Sequence, residues 1–78
     1  MLLKDLLEYM VKEMVDHPEA VQVTERAGQY AVTLDLKVDE RDAGRVIGRG
    51  GRIAKSLRDV LGIAAARDRK RVHLDINS

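Results

Sequence analysis

Gly44-Arg45-Val46-Ile47-Gly48-Arg49-Gly50-Gly51-Arg52-Ile53-Ala54-Lys55 sets three glycines in four positions between two segments of helical character. With no Cβ at Gly48 or Gly51, the backbone can turn sharply and a ligand's backbone can approach closely. The helix that begins after the turn offers unpaired N–H groups and a positive dipole end, which suit a phosphate. Arg49 and Arg52, with Arg45 and Lys55 nearby, add mobile positive charge at the same place. Other glycine-rich loops fail on spacing. A dinucleotide fingerprint counted from Gly48 and Gly50 requires glycine or alanine at position 53, which is isoleucine. Lys55-Ser56 matches the end of a P-loop, but Ala54 stands where that loop needs glycine, and no strand precedes it. A plain hinge between packed helices does not require glycines interleaved with arginine.

Outward from the loop, the chain resolves into six elements. Upstream, a short helix is predicted from about Glu40 to Ile47, with Asp39 as its N-cap and Asp42 near its positive dipole end. Downstream, a longer helix begins at Gly51 or Arg52. Its apolar stripe is Ile53, Ala54, Leu57, Val60, Leu61 and Ala64, with Arg52, Lys55, Ser56 and Arg58 outside. After the basic connection Arg67–Arg71, Val72, Leu74 and Ile76 alternate with His73, Asp75 and Asn77 as a last strand. On the other side, Tyr30, Val32, Leu34, Leu36 and Val38 share one face of a strand. It forms a hairpin with a shorter strand at Val21–Thr24 through the turn Ala27-Gly28-Gln29. Leu3, Leu6, Leu7, Met10, Val11 and Met14 recur at helical spacing, in a helix that ends near Asp16 because His17-Pro18 stops it.

The order is therefore α-β-β-α-α-β. Three strands with one apolar face each, and helices to cover that face, make an α+β sandwich with a three-stranded mixed sheet. The long helical crossover lets the last strand lie parallel to the Tyr30–Val38 strand. No repeat, low-complexity tract or linker interrupts residues 1–78, which read as one domain.

Composition narrows the function. A chain of 78 residues buries only about 60% of its unfolded surface, and with two tyrosines as its only aromatics, aliphatic residues must fill the core. No cysteine is present, which removes disulfides and thiolate metal sites. Lys4, Asp5 and Glu8 interrupt the first apolar run, so it reads as neither signal peptide nor membrane span, and a soluble cytoplasmic protein is expected. The net charge of +1 hides a segregation: residues 1–40 carry four Lys/Arg against nine Asp/Glu, and residues 41–78 carry ten against four. From Arg45 to Arg58 there are five basic residues and no acid, either a footprint for a polyanion or a solvated helix face.

Val46-Ile47-Gly48-Arg49-Gly50-Gly51-Arg52-Ile53 resembles the signature of KH domains, in which an Ile-Gly-x-x-Gly-x-x-Ile-type segment joins two helices. The element order extends the likeness over the whole chain and matches the type II arrangement of small bacterial single-KH proteins. The resemblance implies single-stranded RNA binding through a GXXG loop that clamps about four nucleotides. It maps Gly48, Arg49, Gly50 and Gly51 onto the clamp, with single-stranded DNA as an alternative ligand. Val46, Ile47 and Ile53 match the flanking apolar positions, some lining the groove and some packing the helices. Ile53 begins the buried stripe, which favours the core for it. Arg45, Arg52, Lys55 and, less directly, Arg58 are candidates for auxiliary phosphate contacts. The family also implies bacterial post-transcriptional regulation, and self-association or pairing with a Jag-type KH protein.

No exposed rings lie near the basic segment, so a stacking surface of the RRM or cold-shock kind is not expected, and affinity and sequence preference should be modest. No catalytic constellation, metal site or cofactor motif is present. His17 beside Pro18 and His73 in a strand read as structural or surface residues, Ser56 as an exposed helical serine, and Tyr9 and Met10 as core or interface. Arg67, Arg69, Lys70 and Arg71 either extend the RNA path or solvate a loop. The rival reading is a KH-fold interaction or dimerisation module, for which the Met- and Leu-rich first helix and acidic first half are suited.

Overall fold

A computed structural model describes residues 2–78. Helix α1 (Leu3–Lys12) leads through a short 3-10 turn at Pro18–Ala20 into strands β1 (Gln22–Ala27) and β2 (Ala31–Lys37). A second 3-10 turn (Glu40–Asp42) runs into helix α2 (Ala43–Ile47), a third (Arg49–Gly51) into helix α3 (Arg52–Ala66), and strand β3 (Arg71–Asn77) follows. The sheet order is β1-β2-β3, with β1 antiparallel and β3 parallel to β2. This is the α+β arrangement of a type II KH domain. Among the described residues no helix is long and apolar enough to cross a membrane.

Strand alternation builds the core. Val23, Val32, Leu34, Leu36 and Leu74 turn to the helix side and are buried against Leu7 and Val11 of α1, Val46 of α2, and Leu57 and Leu61 of α3. The open sheet face is polar. There Asp35 lies directly opposite Asp75, and each carboxylate has its own partner, Arg26 at 3.3 Å and His73 at 3.2 Å.

Several boundaries differ from the sequence reading for identifiable reasons. Helix α1 ends at Lys12 rather than near Asp16. Its last turn closes with the Met14 N–H on the Val11 carbonyl, and the N–H groups of Asp16 and His17 point at Asp42 instead of continuing the helix. Strand β1 is longer than expected because its pairing with β2 continues to Ala27↔Val32. The helix expected from Glu40 starts as a 3-10 turn, with the Asp39 carboxylate accepting from the Arg41 N–H at 2.8 Å, and becomes α-helical at Ala43. Tyr30 is 71% exposed and outside the core, and so is Tyr9 at 66%. In α3 the buried residues are Ala54, Leu57, Leu61 and Ala65, whereas Ile53 and Val60 face outward.

Candidate nucleic-acid interface

The Gly48–Gly51 loop is a tight reversal held by its own backbone. The Gly48 N–H closes α2 on the Gly44 carbonyl at 2.8 Å, and the Gly51 N–H returns to the Gly48 carbonyl at 3.1 Å. Gly48 (φ 77, ψ 171), Gly50 (φ 65, ψ 18) and Gly51 (φ 77, ψ 15) all have positive φ, a region that side chains disfavour. Gly48 is constrained further. A Cβ there would sit 2.6 Å from Ile53 Cγ1, so the isoleucine packs directly over the bare backbone. Ile53 thus braces the loop from outside the core, at 37% exposure, which corrects its expected place in the buried stripe.

Helix α3 starts immediately after this reversal with no side-chain cap and no acid in its first turn. The Gly51 and Arg52 N–H groups turn back onto the Gly48 and Arg49 carbonyls, and the dipole end is left without a compensating acid. A groove runs from here between α3 and the edge of β3. Ile47, Ala54, Leu74 and Ile76 supply apolar lining, Gly50 and Gly51 the loop end, and Arg52, Lys55 and Arg58 a cationic rim, with Asp75 as the one acid in the groove. The sheet edge adds polarity. The Arg71 N–H donates to the Tyr30 carbonyl and the Val38 N–H to the Asn77 carbonyl, so the odd-numbered residues of β3 bond to β2. The backbone groups of Val72, Leu74 and Ile76 then point outward along the groove.

The sequence candidates divide accordingly. Arg49, Arg52 and Arg58 make no ion pair among the described residues and are exposed. Lys55 lines the groove while paired with Asp59 at 3.0 Å. Arg45 is turned away, with its guanidinium 3.1 Å from Asp16 Oδ1 and 3.5 Å from the Met14 carbonyl. Val46 is fully buried, so its side chain supports the loop from beneath and cannot touch a ligand, unlike the adjacent Ile47 at 39% exposure.

The sequence places Asp42 near the helix dipole and gives no sign of its burial. Asp42 is 2% exposed, and its carboxylate accepts from the Asp16 N–H (3.2 Å), the His17 N–H (3.0 Å) and His17 Nδ1 (3.0 Å). Burial alone pushes its carboxyl up, but the hydrogen bonds from the Asp16 backbone and the His17 ring and backbone outweigh this and hold it below the ordinary range. Asp42 thereby ties the α1–β1 connection to the start of α2, the helix that carries the loop. The only signal in the sequence was its position, three residues after Asp39. Asp39 is also held low, by the Arg41 side chain first and the Arg41 N–H second.

Comparison with known proteins places these features in context. A family model described as KhpA/KhpB, KH domain, matches residues 4–76. A protein of Clostridium acetobutylicum named RNA-binding protein KhpA is 47% identical over 74 residues, covering 95% of this chain and 99% of its own. A protein of the same name from Aquifex aeolicus is 45% identical over 74 residues, covering 95% and 94%. Among solved structures, Era in complex with MgGDPNP and nucleotides 1506–1542 of 16S ribosomal RNA superposes with a TM-score of 0.71 at 13% identity. That match covers 96% of this chain and 29% of Era, and it is a likeness of fold.

Proposed function

The chain belongs to the KhpA/KhpB family of KH domains, and on that footing we propose that it binds single-stranded RNA with the Gly48–Gly51 loop as its backbone clamp. The observation that carries this is the loop itself: three glycines at positive φ, followed by an uncapped helix start with the unpaired cations Arg49 and Arg52 on either side. A phosphate there meets backbone N–H groups and two guanidinium groups while bases lie along Ile47, Ala54, Leu74 and Ile76. Arg58 and Lys55 extend the rim. Arg45 contributes only on leaving Asp16, so it is a weaker contributor than its place in the sequence suggests. Val46 and Ile53 shape the clamp without touching RNA. The role is that of a cytoplasmic binding module in post-transcriptional regulation, not of an enzyme, and single-stranded DNA fits the same contacts.

The test is titration of a labelled single-stranded RNA with wild type and with Arg49→Asp/Gly50→Asp. Nothing lies within 4 Å of a Cβ at Gly50, and aspartate tolerates left-handed backbone better than most residues, so the fold survives. The double variant is expected to bind at least about tenfold more weakly, and wild-type affinity to fall with salt at a log–log slope of about −0.7 per phosphate. Equal binding by a folded double variant rules the loop out.

One surface also favours pairing. Ile63 (74% exposed) and Val60 (44%) of α3 lie beside Leu2 (64%) in a groove remote from the loop, apolar at its centre and edged by Glu25, Arg67, Asp68 and Lys70. Exposed aliphatics grouped in this way mark interaction surfaces. They suit a second copy of the chain or a Jag-type KH partner, and a pair would present two clamps to one strand. Ile63→Asp is then expected to shift sedimentation from dimer to monomer, and a wild type that is monomeric at the same concentration, alone and with such a partner, excludes the pairing.

A further inference from the structure

Two loops that are far apart in sequence meet at the end of α3 opposite the clamp. The Arg71 N–H donates to the Tyr30 carbonyl at 2.9 Å, joining the β1–β2 turn to the α3–β3 connection. Tyr30 stands 71% exposed beside a segment that holds Arg67, Arg69, Lys70 and Arg71 against a single acid, Asp68. We propose that this pole is a second contact for the same single strand, in which Tyr30 stacks a base and Arg69, Lys70 and Arg71 hold the neighbouring phosphates. The proposal rests on the RNA-binding reading above and extends it from the clamp to a longer path.

Three observations converge on it. The first is the distribution of free cations. Lys12, Arg26, Arg41, Arg45 and Lys55 are all ion-paired. Apart from Lys4 and Lys37, the lysines and arginines without an ion pair among the described residues lie either at the clamp and its helix (Arg49, Arg52, Arg58) or at this pole. The second is Arg69, which sits at φ 57 where α3 closes, with the Lys70 N–H returning to the Ala65 carbonyl at 3.2 Å. Glycine or asparagine serves such a position better, so what arginine adds is its side chain. The third is continuity. The 15 residues of α3 span about 22 Å. Arg58 and the outward-facing backbone edge of β3 lie along that span, and β3 begins at Arg71, whose N–H is bonded to the Tyr30 carbonyl. A tyrosine with no core role beside such charge matches the way single strands are held, by stacking platforms within basic grooves.

Oligouridylates of about four and about twelve nucleotides separate the two contacts, because the clamp alone accommodates the shorter one. Tyr30→Ala is expected to weaken the longer oligomer at least about fivefold, the lower range for loss of one stacked base, and to leave the shorter one unchanged. Tyr30→Phe keeps the stack and should bind like wild type. Arg69→Gln/Arg71→Gln, at two residues outside the Leu2–Val60–Ile63 groove, should weaken only the longer oligomer and make its salt slope shallower by about 1.4, two contacts at about 0.7 each. Wild-type affinity of Tyr30→Ala and of the glutamine pair for the longer oligomer overturns the second contact. In that case continued loss of both lengths by Arg49→Asp/Gly50→Asp leaves the clamp standing. The reverse pattern, with the clamp variant still binding the longer oligomer and the pole variants failing, removes the clamp and keeps the pole.

Discussion

Gly48→Ala lowers the melting temperature by roughly 10–25 °C, while Gly50→Ala two residues away lowers it much less. Both sites have positive φ, but they differ in ψ and in neighbours. Gly48, at φ 77 and ψ 171, occupies a region essentially closed to side chains, at a cost of about 1–3 kcal/mol. The added methyl also meets Ile53, with Cγ1 at 2.6 Å and Cβ and Cδ1 at 3.0 Å. Forced overpacking of this kind adds about 1–3 kcal/mol, less whatever the isoleucine relieves by moving. A combined loss of about 2–4 kcal/mol is a large part of a small domain's stability, and at this size each 1 kcal/mol moves the midpoint by about 4–8 °C. Gly50 sits in the ordinary left-handed well with open space around it, so alanine there costs only about 1–2 kcal/mol. The clash component is separable. Trimming Ile53 to alanine in the Gly48→Ala background should recover part of the loss, a coupling that circular-dichroism melts of the four-variant cycle measure directly. A Gly48→Ala protein that melts no lower than Gly50→Ala contradicts both halves of this account.

Asp42→Ala is the second large effect, and it acts at a distance from the loop. Removing the carboxylate strands the Asp16 and His17 N–H groups and the His17 ring, which lose their acceptor in a part-buried site. Unmet hydrogen-bonding groups cost more than the bond was worth, and a fall in Tm of roughly 10 °C or more is expected. Because the start of α2 then loses its buried tie to the α1–β1 connection and keeps the exposed Arg45 contacts with Asp16 and the Met14 carbonyl, RNA affinity should drop with it, although Asp42 never faces the groove. The same group shapes the acid response. A carboxyl held below its unfolded value stabilises the fold fully above the ordinary range, about pH 4, and this contribution disappears as pH falls toward the folded value. Thermal melts of wild type should therefore decline more steeply below about pH 4 than those of Asp42→Asn. Asp39, held low by Arg41, adds to the decline in both proteins and does not disturb the comparison. Parallel profiles mean that Asp42 has no part in the acid response.

Much of this architecture is legible from side-chain pattern, and what is not has a common cause. The alternation in Val32, Leu34, Leu36 and Leu74 identifies buried strand faces because burial follows a period of two. The glycines at 48, 50 and 51 announce the reversal because glycine takes up positive φ most readily. Misreadings arise where a residue's partner is remote in sequence. The continuation of α1 toward Asp16 was locally sound, but Asp42, 26 residues on, takes that segment's N–H group. Arg45 looked like a free cation until Asp16 and the Met14 carbonyl claimed it. Ile53 carries the helical period of a core residue, yet the bare face of Gly48 gives it a better seat outside. Tyr30 continues the alternation of β2, but it lies past the end of the strand pairing, where no layer remains to cover it.

The parallel pairing of β2 with β3 also sets an order of assembly. β1 and β2 are joined by a tight turn and can zip together early, whereas β3 reaches β2 only after residues 38–70 have been drawn into a closed crossover. Closing a loop of that length costs entropy before any contact repays it, so such pairings form late. One wall of the proposed nucleotide groove is β3, and the proposed clamp lies within the crossover. During synthesis, then, the hairpin can form while the chain still has no groove, and competence for RNA arrives in one step when the last strand docks.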